Sequence, residues 1–262
     1  MDLNLRGRHV LITGGSKGIG LACAQEFGRE GATLTLVARQ QAGLDAAVAQ
    51  LNAQGFTARA LAADLTDPDA AAAVTEAAER QGGAIDILVN SAGAAQRTPF
   101  EELTPRAWHD AMQAKFFTYV HVMDPLIKRM GRAGRGAIVN VVGMGGKVAG
   151  PTHLAGGSAN AALMLASAGL AAAYGPRGVR VNVVNPGLTL TSRLQEGLAA
   201  DARLQGKDPQ EVLAAAQSRL PLRRIATPEE IANAVVFLAS DRAAYINGAI
   251  VSMDGGVTPL VV

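Results

Sequence analysis

The sequence predicts a doubly wound α/β fold, a parallel sheet covered by helices on both faces. Three observations carry that prediction. Short β-rich apolar runs alternate with Ala-rich stretches of helix length along the 262 residues, the order expected of repeated strand–helix–strand units. The runs are apolar throughout rather than alternating, as in strands buried on both faces. A glycine-rich turn, Thr13-Gly14-Gly15-Ser16-Lys17-Gly18-Ile19-Gly20, joins the first run to the first helical segment.

Seven strands are read in order at Val10–Thr13, Thr33–Ala38, Thr57–Ala62, Ile85–Asn90, Ala137–Val142, Val179–Val184 and Ala249–Ser252. The first opens through the glycine turn onto the helical pattern Leu21-Ala22-Cys23-Ala24-Gln25-Glu26-Phe27. Right-handed crossovers between successive strands give a seven-stranded parallel sheet, and the length suits one domain spanning 1–262. A ligand then belongs beyond the strands' carboxyl ends, where Thr13, Ala38, Asn90, Val142 and Asn185 come together. Leu188–Leu220 is the least strand-like late region, and Gly197, Gly206 and Pro209 interrupt its helical stretches, which suits a mobile lid. The longest uncharged run, Leu154 to Gly175, approaches the length of a bilayer span. Gly156, Gly157, Ser158, Asn160, Ser167 and Gly169 make it polar and small-residue rich, so it reads as a helix packed tightly against protein. A homo-oligomer, dimer or tetramer, would bury it well.

Composition narrows the function. Hydrophobic residues make up 49% of the chain, and 24 basic against 22 acidic residues leave a formal charge of +2 with no basic tract. That balance argues against nucleic acid as a partner. The single cysteine, Cys23, lies in the first helix pattern, so no disulfide forms within the chain. Asp2, Arg6 and Arg8 before a short apolar strand lack the pattern of a secretory signal. The expectation is a cytoplasmic protein that meets neither membrane nor metal and acts on a small molecule.

The glycine turn is a phosphate cradle. Glycine takes positive φ and lets the backbone approach a ligand, while unpaired N–H groups and the positive end of the following helix attract a pyrophosphate. Cofactor choice follows from charge. A site that prefers NAD(H) places a carboxylate at the end of the second strand to accept from the ribose 2′-hydroxyl, but Leu36-Val37-Ala38-Arg39 offers none. Arg39 and Lys17 suit a 2′-phosphate instead, which favours NADP(H) over NAD(H). The alternative is that both are solvated charges flanking helices.

Gly14-x-x-x-Gly18-x-Gly20 is joined by Asp64-Leu65 after the third strand, Asn90-Ser91-Ala92-Gly93 after the fourth, Asn185-Pro186-Gly187 after the sixth and Asp254-Gly255-Gly256 near the end. Together these resemble the short-chain dehydrogenase/reductase family from about Leu5 to Gly256. The resemblance implies a single Rossmann-type domain, a nicotinamide dinucleotide and commonly a tetramer. It implies that Gly14, Ser16, Gly18, Ile19 and Gly20 line the cofactor phosphates and that Asp64 and Leu65 border the adenine. Asn90, Ala92 and Gly93 would border the adenosine ribose, and Pro186, Gly187 and Thr189 would flank the nicotinamide.

The family's catalytic pattern is where the chain departs. In the family a tyrosine handles the substrate proton, a lysine four residues later supports it, and a serine thirteen residues earlier orients the carbonyl. Aligning Ile138-Val139-Asn140 and Ala161-Ala162-Leu163 places Gly143 at the serine, Gly156 at the tyrosine and Asn160 at the lysine. No tyrosine occurs between Gly131 and Ala173. The family's fourth position, an asparagine seven residues after the helix tryptophan, falls on Lys115 counted from Trp108. Asparagine and lysine have exchanged places, so Lys115 is a candidate to supply the missing cation; the alternative is an ordinary solvated lysine. His153 is the candidate acid, because an imidazole titrates near neutrality and would share a helix face with Gly156 and Asn160 if the helix already includes it. The alternative is a loop histidine with no chemical duty. Lys147 and Ser158 are weaker candidates, Lys147 because its glycine-rich loop would leave it in solvent. Glycine at two positions usually filled by side chains widens the site for a bulky or planar substrate.

The sequence fits three functions: an NADP(H)-dependent oxidoreductase of a carbonyl/alcohol pair with a non-standard site, a catalytically inactive NADP(H)-binding sensor or structural subunit, and a lyase or isomerase using a lysine.

Overall fold

The computed structural model describes residues 2–93, 98–192, 194, 195, 198, 202 and 206–259. The strands are β1 (His9–Thr13), β2 (Thr33–Ala38), β3 (Thr57–Ala62), β4 (Ile87–Asn90), β5 (Gly136–Val141), β6 (Val179–Pro186) and β7 (Ile250–Met253). The α-helices are α1 (Gly18–Arg29), α2 (Gln41–Ala53), α3 (Pro68–Gly82), α4 (Pro105–Ala111), α5 (Thr118–Ala133), α6 (Leu154–Tyr174), α7 (Pro209–Ser218) and α8 (Pro228–Ala239). All strand pairs are parallel in the order β3-β2-β1-β4-β5-β6-β7. The sheet grows outward in both directions from the β1/β4 pair, and that reversal opens a crevice at the carboxyl ends.

Strand ends differ from the sequence reading by a few residues, for local reasons. β4 begins at Ile87 rather than Ile85 because the Asp86 carboxylate takes the His9 N–H at 3.0 Å, where a ladder bond would otherwise form. β6 runs on to Pro186 because β7 pairs with Asn185 and Pro186.

Alternate residues of each strand feed opposite cores. Val10, Ile12, Leu34, Leu36 and Val139 pack with Phe27 of α1, Leu44 of α2 and Val235 of α8, while Leu11, Val37, Leu88 and Ile138 pack with Val74 of α3 and Leu126 of α5. Each such fully buried aliphatic side chain contributes about 1.5–3 kcal/mol. Cys23 lies in the first core, where burial pushes its thiol pKa up and leaves it inert. Helix α6 is long and apolar enough to cross a membrane by length and composition alone. It lies on the sheet instead, with Leu163 and Met164 packed against Val142 and Val183.

Polar side chains fix the strand ends. Thr13 Oγ1 donates to Asn90 Oδ1 (3.2 Å), Asn90 Nδ2 to Asn140 Oδ1 (3.0 Å), and Asn140 Nδ2 to Ser167 Oγ (2.9 Å), linking β1, β4, β5 and α6. All four are buried and satisfied, which favours one arrangement of the crevice floor. At the far end of the sheet, Arg180 donates to the carbonyls of Leu238, Ala239, Ser240 and Ile246, closing the carboxyl end of α8.

Candidate active site

The helix starts separate into two kinds. Asp67, Thr104, Asp208 and Thr227 cap α3, α4, α7 and α8 with side-chain oxygens. Lys17 and Gln40 precede α1 and α2 without a side-chain cap, and neither helix has an acidic residue in its first turn. The uncapped N–H groups of α1 meet the glycine turn. Gly14 has φ 69° and Gly18 φ 57°; a Cβ on Gly14 would lie 2.8 Å from the Ser91 carbonyl oxygen, and one on Gly20 would run into the Gly14 carbonyl. These contacts require glycine and leave a backbone cradle whose donor set fits a dinucleotide pyrophosphate.

The other sequence-predicted cofactor residues reach the same edge of the sheet. Ser16 faces α2 across a close approach to Gly43, Ile19 packs on the core, and Lys17 and Arg39 are exposed, Arg39 directly after β2. Asp64 Oδ1 accepts from the Thr66 N–H (3.0 Å) and hydroxyl (2.8 Å). Those bonds, helped by the Arg39 charge, hold its carboxyl below the usual range. Leu65 is buried beside it. Thr13 Oγ1 accepts from the N–H groups of Ser91 and Ala92 (3.1 and 3.3 Å), setting the turn after Asn90. Gly93, at φ 82°, lies so close to the Ala114 carbonyl that no Cβ fits. Past Pro186, Gly187 donates to the Met253 carbonyl (3.0 Å) and Thr189 Oγ1 donates to the Gly187 carbonyl (3.3 Å).

Lys115 occupies a π-helical segment, Met112–Phe117, set between α4 and α5. Thr118 Oγ1 donates to the carbonyls of Gln113 and Ala114 there, supporting the widened turn; such segments are frequent at functional sites. Lys115 Nζ donates to Tyr119 Oη (2.8 Å) and to the Val141 carbonyl (3.3 Å), and Tyr119 Oη donates to the same carbonyl at 2.6 Å. The availability of that carbonyl follows from the sheet. β4 stops at Asn90, opposite Asn140, so the next β5 carbonyl on that side has no ladder partner.

Two residues beyond Val141, the segment Gly143–Gly146 lies directly on the start of α6. A Cβ on Gly143 would be 3.4 Å from Asn160 Nδ2, and one on Gly145 would be 3.3 Å from His153 Nε2 and 3.7 Å from Asn160 Nδ2. His153 and Asn160 therefore converge on one short glycine segment. His153 does not share the helical face expected of it, because α6 begins at Leu154 and His153 is its N-cap. The first bond of α6, from the Gly157 N–H to the His153 carbonyl (2.7 Å), ties His153 to the helix start, and its ring lies beside Gly145. Asn160 is 4% exposed, and no donor among the described residues reaches its Oδ1. Gly156 is buried in the first turn of α6. Lys147 is half-buried, and its Nζ donates to Ser252 Oγ of β7 at 2.9 Å in a solvent-exposed bond. Ser158 is exposed and donates to the Leu154 carbonyl (3.0 Å). Much of the expected lid, including 193, 196, 197, 199–201 and 203–205, lies outside the described residues.

Sequence reasoning missed Tyr119. Its spacing four residues after Lys115 was visible, but the fixing of its hydroxyl depends on a carbonyl 22 residues away.

The family profile described as "Enoyl-(Acyl carrier protein) reductase" matches residues 14–258. A D-threitol dehydrogenase of Mycolicibacterium smegmatis is 37% identical over 98% of this chain and 95% of its own. The structure of an L-sorbose reductase from Gluconobacter frateurii, complexed with NADPH and L-sorbose, superposes with a TM-score of 0.94 at 33% identity, covering 100% of both chains. An NADPH-bound short-chain oxidoreductase from Pseudomonas aeruginosa PAO1, described as containing an atypical catalytic center, superposes with a TM-score of 0.88 at 32% identity, covering 97% of this chain and 98% of its own.

Proposed function

The chain belongs to the short-chain dehydrogenase/reductase family and is an oxidoreductase of that type, and from that premise we propose that it is an NADP(H)-dependent enzyme of a carbonyl/alcohol pair whose site uses Lys115, Asn160 and His153. The observation that carries the site assignment is the convergence of His153 and Asn160 on Gly143–Gly145, with a buried Asn160 oxygen still open to a donor. A ribose or substrate hydroxyl is the kind of donor that oxygen accepts. At Gly143 a Cβ would meet only Asn160 Nδ2 within 4 Å, which supports a site wide enough for a bulky substrate.

NADPH, when bound, supplies the hydride. The N–H groups of the glycine turn would hold its phosphates, and Arg39 and Lys17 would bind the 2′-phosphate. Asn160 orients a hydroxyl, Lys115 keeps a cation at the end of β5, and His153 gives a proton from its ring to the substrate oxygen, a contribution of about 10²–10⁴-fold in rate. Support for NADP(H) comes from the exposed cations at 17 and 39 and from NADPH in the related L-sorbose reductase structure.

The test is a titration with NADPH and NADH, followed by NADPH oxidation over ketones ranging from L-sorbose to acetylnaphthalene. NADPH should bind at least about tenfold tighter, and Arg39→Ala should erase that preference. Lys115→Met and His153→Ala should each lower turnover; full rates in both would remove them from the mechanism. Binding without turnover across the panel would favour the second reading, an inactive NADP(H)-binding subunit, which the absence of tyrosine between Gly131 and Ala173 supports.

A further inference from the structure

We propose that Tyr119 is a positioning residue that fixes the Lys115 ammonium at the carboxyl end of β5, a role that rests on reading Lys115 as part of the site. The Tyr119 side chain is fully buried among Val142, Leu163, Met164 and Val183, so its hydroxyl is a fixed point. That hydroxyl has one proton, which it donates to the Val141 carbonyl at 2.6 Å. The oxygen remains an acceptor and takes an N–H from Lys115 at 2.8 Å. The ammonium also lies 4.4 Å from the Tyr119 ring centroid, within cation–π range. With the 3.3 Å bond to Val141, these contacts form a closed triangle of ammonium, phenol and carbonyl.

The direction of these bonds assigns the roles. A phenol committed to a main-chain carbonyl and 0% exposed neither touches substrate nor delivers a proton to it. It acts through Lys115. A solvated lysine has many rotamers to lose, and the triangle removes that freedom before any ligand arrives, so the cation need not be ordered during binding. A tyrosine that only satisfied Val141 would leave the position of Lys115 unaffected, and the two readings separate in a double-mutant cycle.

NADPH dissociation constants, read by the fluorescence of the bound cofactor, are to be compared for the full chain, Tyr119→Phe, Lys115→Met and the double variant. Tyr119→Phe keeps the ring and its packing and deletes one oxygen. Each single change should weaken NADPH binding about tenfold, the scale of a lost charge-assisted hydrogen bond, and the double should stay within about twofold of Lys115→Met. An unchanged constant in Tyr119→Phe, or losses that multiply in the double, overturns the positioning role and leaves Lys115 in the site. An unchanged constant in Lys115→Met overturns both. A second measurement avoids any loss of folding in Tyr119→Phe. The chain has three tyrosines, and with 3-fluorotyrosine in their place the ¹⁹F resonance of Tyr119 should move in Lys115→Met; an unmoved resonance overturns the contact.

Discussion

His9 is a buried imidazole at the start of β1, with Nδ1 2.8 Å from the Gly83 carbonyl and Nε2 2.8 Å from Thr35 Oγ1. Burial holds its pKa below the ordinary 6.5, with Arg59 adding to the effect and Asp86 opposing it. The sign follows from where each state takes up its proton. Above about pH 6.5 both folded and unfolded chains carry neutral His9, and its contribution is complete. As the pH falls below that, the unfolded chain binds a proton that the folded chain refuses, and stability declines until the lower folded pKa is passed. His9→Gln should therefore flatten the drop in urea midpoint between pH 7.5 and 5.5; an identical drop would locate the acid sensitivity elsewhere. At this scale much of the site was legible, because Gly14, Gly20 and Asn90 act through local backbone geometry that the motif spacing already encodes. Tyr119 was not, since its meaning depends on a carbonyl exposed by the early end of a different strand.

Helix starts show what an element encodes about itself. At α8, Thr227 Oγ1 accepts from the Glu230 N–H (3.3 Å), the Glu230 carboxylate accepts from the Thr227 N–H (2.9 Å), and Arg224 forks onto the same carboxylate at 2.7 and 2.6 Å. The Arg224 bonds and the Thr227 N–H pull the Glu230 pKa down to about 2. Thr227→Ala should cost about 1 kcal/mol and lower the melting temperature by roughly 2–4 °C, which differential scanning calorimetry resolves; no change would mean that the Arg224 fork alone holds this turn. The cap was written in four consecutive residues. The start of α6 was not, because no capping side chain marks it. Gly157 approaches the Gly145 carbonyl so closely that no Cβ fits, a contact between segments that local sequence does not display. The π-helical turn at Lys115 was equally silent, since its support comes from the side chain of Thr118 reaching back five residues.

For the molecule as a whole, the alternation of apolar runs was enough to forecast a seven-stranded parallel sheet, whereas the order of its strands is set by pairings between distant segments that only the structure displays. The outer face of α6 carries an uncharged stripe rich in small residues. Ser158, Ala161, Leu165, Gly169 and Ala172 are exposed there, Leu165 by 77%, and no charge interrupts Leu154–Tyr174. We expect a dimer or tetramer that covers this stripe. Leu165→Glu should shift sedimentation toward a smaller species, whereas an unchanged coefficient would place the contact on another face. The Val141 carbonyl has a different consequence, for inheritance. Every amino acid supplies a main-chain oxygen, so position 141 is free to drift among strand-forming residues without disturbing the triangle. Positions 115 and 119 have no such latitude. Among descendants of this chain the lysine and the tyrosine should be kept or lost together, as one heritable unit anchored to a residue whose own identity leaves no trace.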